Sequence, residues 1–227
     1  MKVAKIRLLA VIAILLFAMV GCTAVAPAPA ATTGDQAAAD TGTTAKKEYK
    51  DLVVGYAQIG AESEWRTANT ASIQETAKEL GINLKFSDAQ QKQENQIKAL
   101  RSFIAEKVDV IGIPPVVTTG WETVFQEAKD AGIPIILVDR RADVPEDLYV
   151  SYLGSDFTEE GRRAAKALAE IVSEKANIVE LVGTVGSAPA TDRGNGFREV
   201  IANMPDMKII DSQSGDFTRA KGKEVME

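Results

Sequence analysis

Residues 109–139 read DVIGIPPVVTTGWETVFQEAKDAGIPIILVD. The run DVIGI (109–113) is short and apolar, and Pro114-Pro115 ends it, which describes a buried strand. From Trp121 the spacing changes. Trp121, Val124, Phe125 and Ala128 recur at i, i+3, i+4 and i+7, so one face of a helix packs on a core and Trp121 belongs to that core. Gly132-Ile133-Pro134 stops the helix, and IPIILVD (133–139) is again a continuous apolar strand. Strands without alternation need cover on both faces, the condition of a parallel sheet between helices.

The same alternation extends outward. Upstream lie a strand at LVVGYA (52–57), a helix over 65–80 that stops at Gly81, a strand at INLKFS (82–87), and a helix over 92–106 carrying Ile97, Leu100 and Ile104 on one face. Gln90–Gln96 reads as the start of that helix and its solvated face. Downstream a fifth strand, YVSYLG (149–154), completes a first unit. After Asp156 the pattern restarts: a helix over 157–174, strand NIVELV (177–182), a Gly-rich loop, a helix over 192–203, strand MKIID (207–211), and a final helix from near Thr218. Glu159, Glu160, Arg162 and Arg163 read as solvated. The fold class is α/β, with parallel sheets and helices on both faces. The second unit has two strands, few for an independent lobe. Lys221–Glu227 carries no helix stop, so this lobe is expected to be incomplete and the chain as it stands to bind ligand poorly or not at all.

Composition narrows the chemistry. The chain has 227 residues, 26 Lys and Arg against 32 Asp and Glu, no His and one Cys. The acidic balance disfavours nucleic acid as a partner. Without His there is no Ser-His-Asp or Cys-His pair, and a single Cys allows no disulfide within the chain. No metal site or cofactor is expected.

The N-terminus reads as an address. Lys2, Lys5 and Arg7 precede an apolar run from Leu8 to Val20, 13 residues, and a bilayer span needs about 20. The run ends Met19-Val20-Gly21-Cys22, which resembles a bacterial lipoprotein lipobox. That likeness implies cleavage before Cys22 and diacylglycerol on its thiol, an anchor in the lipid bilayer. Residues 1–21 are then a lipoprotein signal peptide and 22–50, rich in Ala, Thr, Pro and Gly, a flexible tether. The body divides into 51–155 and 156–227.

In an open parallel sheet, ligands bind outside the carboxyl ends of the strands. After the first strand comes Gln58-Ile59-Gly60-Ala61-Glu62-Ser63-Glu64-Trp65-Arg66, and after the fourth Asp139-Arg140-Arg141. In the second unit come Gly183-Thr184-Val185-Gly186, Asp192-Arg193-Gly194 and Ser214-Gly215-Asp216-Phe217. Carboxylates and guanidinium forks suit neighbouring hydroxyls, and an aromatic ring suits the C–H face of a sugar. Each residue also has a plainer reading. Asp139-Arg140 could be a strand-end ion pair, Trp65 or Phe217 packing, and Arg193 a local partner of Asp192. Glu62 and Glu64 could suggest a glycosidase, though nothing defines their distance to a second acid. Nucleotide motifs fail: Gly183-x-x-Gly186 lacks a third glycine, and Gly222-Lys223 is followed by Glu224.

The pieces VGYAQIGAESEWR, DAQQKQENQIKALRSFIAEKVDVIGIPPVVTTGWE, ILVDR, ELVGTVGSAPATDRGNGF and SQSGDFTRAKGKEVME together resemble the periplasmic sugar-binding proteins of ABC importers. The likeness is to the ribose/galactose type, and closest to galactofuranose-binding members. It implies a two-lobed, type I periplasmic-binding-protein fold and no catalysis. It implies a monomer that closes on a monosaccharide and presents it to an ABC permease, held outside the cytoplasmic membrane. It assigns Trp65 and Arg66 to packing on the sugar, Asp139 and Arg140 to its hydroxyls, and Arg193 and Phe217 to contacts from the second lobe. Glu62 fits the galactofuranose-like members. The same fold could instead serve a sensor subunit of a membrane kinase, and an Asp/Glu-dependent glycosidase remains a third reading.

Overall fold

The computed structural model describes residues 47–227. The expected signal peptide (1–21), Cys22 and most of the expected tether lie outside the described residues. A turn at Tyr49–Asp51 leads into the first sheet.

In chain order the first unit comprises β1 (Val53–Gln58), α1 (Glu64–Leu80), β2 (Asn83–Asp88), α2 (Gln93–Ala105), β3 (Val110–Ile113), α3 (Glu122–Asp130), β4 (Ile135–Val138) and β5 (Ser151–Leu153). Its five strands are parallel in the order β2-β1-β3-β4-β5. Between β1 and β3 the chain order reverses direction across the sheet, which opens a crevice beyond their carboxyl ends. The core gathers Leu100, Phe103, Ile111, Ile113, Phe125, Ile135 and Leu137 around Trp121. Trp121 is fully buried, its ring 5.9 Å from that of Phe125, and its indole N–H donates to the Val117 carbonyl at 2.7 Å. The helix therefore reaches the sheet as its apolar spacing requires. Gly55 permits the close approach of α2: a Cβ there would stand 2.6 Å from the Phe103 ring.

The second unit comprises α4 (Phe157–Val172), β6 (Ala176–Val182), α5 (Ala188–Ile201), β7 (Met207–Ser214) and α6 (Arg219–Met226), with β6 and β7 parallel. Two boundaries depart from the sequence reading. The α5 helix starts four residues before 192, because Ser187 occupies the N-cap and Pro189 lies in the first turn, where its missing N–H costs nothing. Strand β7 continues past 211 to Ser214 through a polar stretch, because backbone pairing with Val182, not burial, extends it. A bulge opposite Ile178 and Val179 leaves Ile210 outside the ladder. Ala165, Ala169, Ile201 and Met207 form the core between helices and sheet, while Val179, Leu181 and Ile210 are exposed on the sheet.

Candidate binding site

The loop after β1 is built to hold side chains still. Ser63 caps α1, its hydroxyl accepting from the Arg66 N–H at 3.2 Å. The carbonyls of Gln58 and Ile59 accept from Ala89 N–H (2.9 Å) and Gln91 N–H (2.6 Å), which ties the loop to its neighbour after β2. Glu62, Trp65 and Arg66 are thereby carried at the edge of the crevice.

The end of β4 turns more sharply. Asp139 has φ +63°, uncommon for a residue with a side chain, and the Arg140 N–H returns to the Val138 carbonyl at 2.6 Å. Leu153 O and the Tyr152 hydroxyl hold the turn from β5, through Asp139 N–H at 2.7 Å and Asp139 O at 3.1 Å. Strain of this kind collects at functional positions. Its effect here is to aim two successive side chains, Asp139 and Arg140, the same way.

The two strand ends meet in a buried ionic quartet. Arg66 donates from Nε to Glu62 Oε1 at 3.0 Å and from Nη2 to Asp139 Oδ2 at 2.7 Å. Arg140 donates to the Val116 carbonyl at 3.1 Å and lies 3.9 Å from Glu62 and 3.8 Å from Asp139. Glu62, Arg66 and Arg140 are each 2–3% exposed, and the four charges cancel. Among the described residues, Glu62 Oε2 and Arg140 Nε are buried without a hydrogen-bond partner. Burial, and then the like charge of Arg66, pull Arg140 down to about 10, still cationic at neutral pH. One acceptor and one donor thus stand unused beside a cavity, which is unusual for buried polar atoms unless a ligand completes them.

That cavity, about 320 Å³, is lined by all seven candidate residues: Glu62, Trp65, Arg66, Asp139, Arg140, Arg193 and Phe217. The volume lies at the small end of the roughly 300–1,000 Å³ range of ligand sites. Trp65 stands at the rim, 56% exposed, with the Arg66 guanidinium 4.7 Å from its ring centre. Phe217 covers Arg140 at 5.3 Å from the second unit. Gly183 makes room for it, since any Cβ there would collide with the Phe217 ring. Arg193 stacks over Phe157 at 4.5 Å and donates to Glu160 at 2.8 Å. A larger cavity of about 480 Å³ between α4, α5 and β6 is mostly apolar and lacks the buried, unpaired polar atoms of the smaller one.

Arg66 lines the cavity and is at the same time buried between the Glu62 and Asp139 carboxylates, which it orients. Two readings need correction. Glu160 is not simply solvated, because it pairs with Arg193 in the cavity wall. Gln96 is fully buried, although the polar run Gln90–Gln96 suggests a solvated face. Ser155 and Phe157 line the cavity too and carry no local signal that marks them. Outside the cavity, Arg141 bridges the units with two bonds to Asp192, at 3.1 and 2.8 Å. Among the described residues no cluster of three or more His, Cys, Asp or Glu is arranged to hold a metal ion.

Residues 54–227 match the family model described as periplasmic binding protein domain. A galactofuranose-binding protein of Escherichia coli is 55% identical over 178 residues, 78% of this chain and 56% of that protein. The binding protein of an arabinose ABC transporter from Shewanella, solved with α- and β-L-arabinofuranose, superposes with a TM-score of 0.74 at 55% identity. That alignment covers 77% of this chain and 58% of the other. A Mycobacterium smegmatis structure in complex with β-D-fucofuranose gives a TM-score of 0.75 at 55% identity, covering 77% and 59%. The chain spans somewhat over half the length of the proteins it matches.

Proposed function

The chain belongs to the periplasmic binding protein domain family, and from that membership we propose that it is the sugar-binding component of an ABC importer. It holds one monosaccharide, a furanose-ring hexose or pentose, between two lobes and delivers it to a permease. The observation that carries this reading is the buried quartet with its two unused atoms. Glu62 Oε2 accepts from a sugar hydroxyl, Arg140 Nε donates to a sugar oxygen, and Trp65 and Phe217 cover apolar ring faces. The protein performs no chemistry on the sugar. Glu62 and Asp139 each accept from a guanidinium, which suits fixed acceptors better than a proton-delivering acid.

Calorimetric titration with D-galactose, L-arabinose, D-fucose and D-ribose tests the reading. Heat is expected with at least one of them when the chain is extended to the length of its relatives, and silence with all four in that longer protein would refute it. In Asp139→Ala the sugar loses a charged acceptor, and affinity is expected to fall by about 1–3 kcal/mol, roughly ten- to hundredfold. Trp65→Ala should weaken binding while leaving the melting temperature almost unchanged, because the ring is largely exposed. Hydrolysis of aryl glycosides would overturn the non-enzymatic assignment.

Membrane attachment is the second part of the proposal. Cys22 is the only cysteine and follows Gly21 at the end of a charged-then-apolar leader. Cys22→Ala is expected to move the protein to the soluble fraction or leave it unprocessed. A variant that stays membrane-bound and is cleaved as before would exclude acylation at this residue.

A further inference from the structure

We propose that Gln96 is the positioning residue of the binding site, holding both of its arginines through a single buried amide; this rests on the sugar-binding reading above. Gln96 lies in the first turns of α2, fully buried, and makes three bonds to backbone groups. Its Nε2 donates to Ala57 O and to Pro114 O, both at 2.8 Å, and its Oε1 accepts from Val116 N–H at 3.0 Å. The carboxyl ends of β1 and β3 are therefore joined by one side chain at the point where the sheet order reverses.

Each arm leads to a guanidinium. On the β3 side, the anchored Val116 gives its own carbonyl to Arg140 Nη1 at 3.1 Å. That is the only side-chain hydrogen bond under 3.5 Å that fixes the Arg140 guanidinium among the described residues, and its Nε is the atom left free. On the β1 side, the anchored Ala57 precedes Gln58, which is also fully buried. Gln58 Nε2 donates to Asn69 Oδ1 and Thr70 Oγ1, both at 2.9 Å, and Arg66 Nη1 reaches the same Asn69 oxygen at 3.5 Å. An amide with two donors and one acceptor in use satisfies both arms at once. No apolar side chain can do so, and a carboxylate would face two carbonyl oxygens without a proton to offer.

The test compares Gln96→Met, close in length and without hydrogen bonds, with the parent chain in two measurements. The first is the Nε–H resonances of Arg66, Arg140 and Arg141 without sugar. Positioning predicts that the Arg66 and Arg140 signals shift and broaden while Arg141, paired with Asp192, stays in place. Uniform loss of all three, or no change in any, overturns the proposal. The second is sugar affinity, expected to fall about tenfold or more as buried groups lose their partners. In an Arg140→Met background the same substitution should cost much less, because its target is gone; full additivity would mark Gln96 as merely structural. A protein extended to the length of its relatives that binds no sugar refutes the functional reading, yet the resonances still decide the role of Gln96. Should the methionine variant fail to fold, Gln96→Asn keeps the amide and withdraws it by one methylene. It is expected to shift the same two signals, and an unchanged spectrum would overturn the proposal.

Discussion

Arg66→Met is expected to destabilise the first unit by about 3–5 kcal/mol and to abolish measurable sugar binding. The reason lies in what remains. Arg66 is 2% exposed and bonds two carboxylates, Glu62 at 3.0 Å and Asp139 at 2.7 Å. Methionine fills much of the volume but leaves two largely buried anions, with only Arg140 nearly 4 Å away as compensation. Removing one partner of a buried pair costs more than the pair ever contributed, because the desolvation of the other is then unopposed. Urea denaturation should show a lower midpoint with an unchanged slope. A companion variant carrying both Glu62→Gln and Arg66→Met should recover part of the loss. If Arg66→Met unfolds with the parent midpoint, the quartet contributes no pairing energy and its charges are solvated.

Trp121→Ala should lower stability by a similar amount, about 3–5 kcal/mol, through a cavity in place of a lost contact with ligand. The ring is fully buried among Val124, Phe125, Leu137 and their neighbours, and its N–H is the partner of Val117 O. Alanine leaves both a void and an unpaired carbonyl. Trp65→Ala, by contrast, removes a ring that is 56% exposed and should be nearly silent in a melt. Differential scanning fluorimetry of the two variants side by side separates them. A Trp121→Ala protein that melts with the parent would show that the core collapses around the gap without penalty.

The two tryptophans show how far local reading reaches. Trp121 has apolar partners three, four and seven residues on, and helical periodicity alone assigns it to the core. Trp65 has no such stripe. Its helix buries only Arg66 and Ala77, so the sequence around it supports packing and exposure equally. The strand ends were legible for a related reason: apolar runs, Gly and Pro stops and N-cap residues act over a few positions, and the side chains that follow each stop must lie at the sheet edge. That reading puts Glu62, Arg66, Asp139, Arg140, Arg193 and Phe217 in the strand-end segments, and the family resemblance singles them out there.

What the sequence by itself determined is the alternation of strand and helix and which segments stand at the carboxyl edge, because these follow from periodicity and turn chemistry within a dozen residues. Only the tertiary structure decided what those residues do to one another. Arg66 meets Asp139 across 73 positions, Gln96 meets Ala57 across 39, and Arg141 meets Asp192 across 51. No periodicity encodes such pairs. A glutamine in a polar helix start looks solvated until two strand ends close over it, and an arginine at a sheet edge looks open until two carboxylates enclose it. Hydrogen bonding and burial act between surfaces that packing brings together, so the division between groups that hold the site and atoms left for a ligand appears only when the chain is folded.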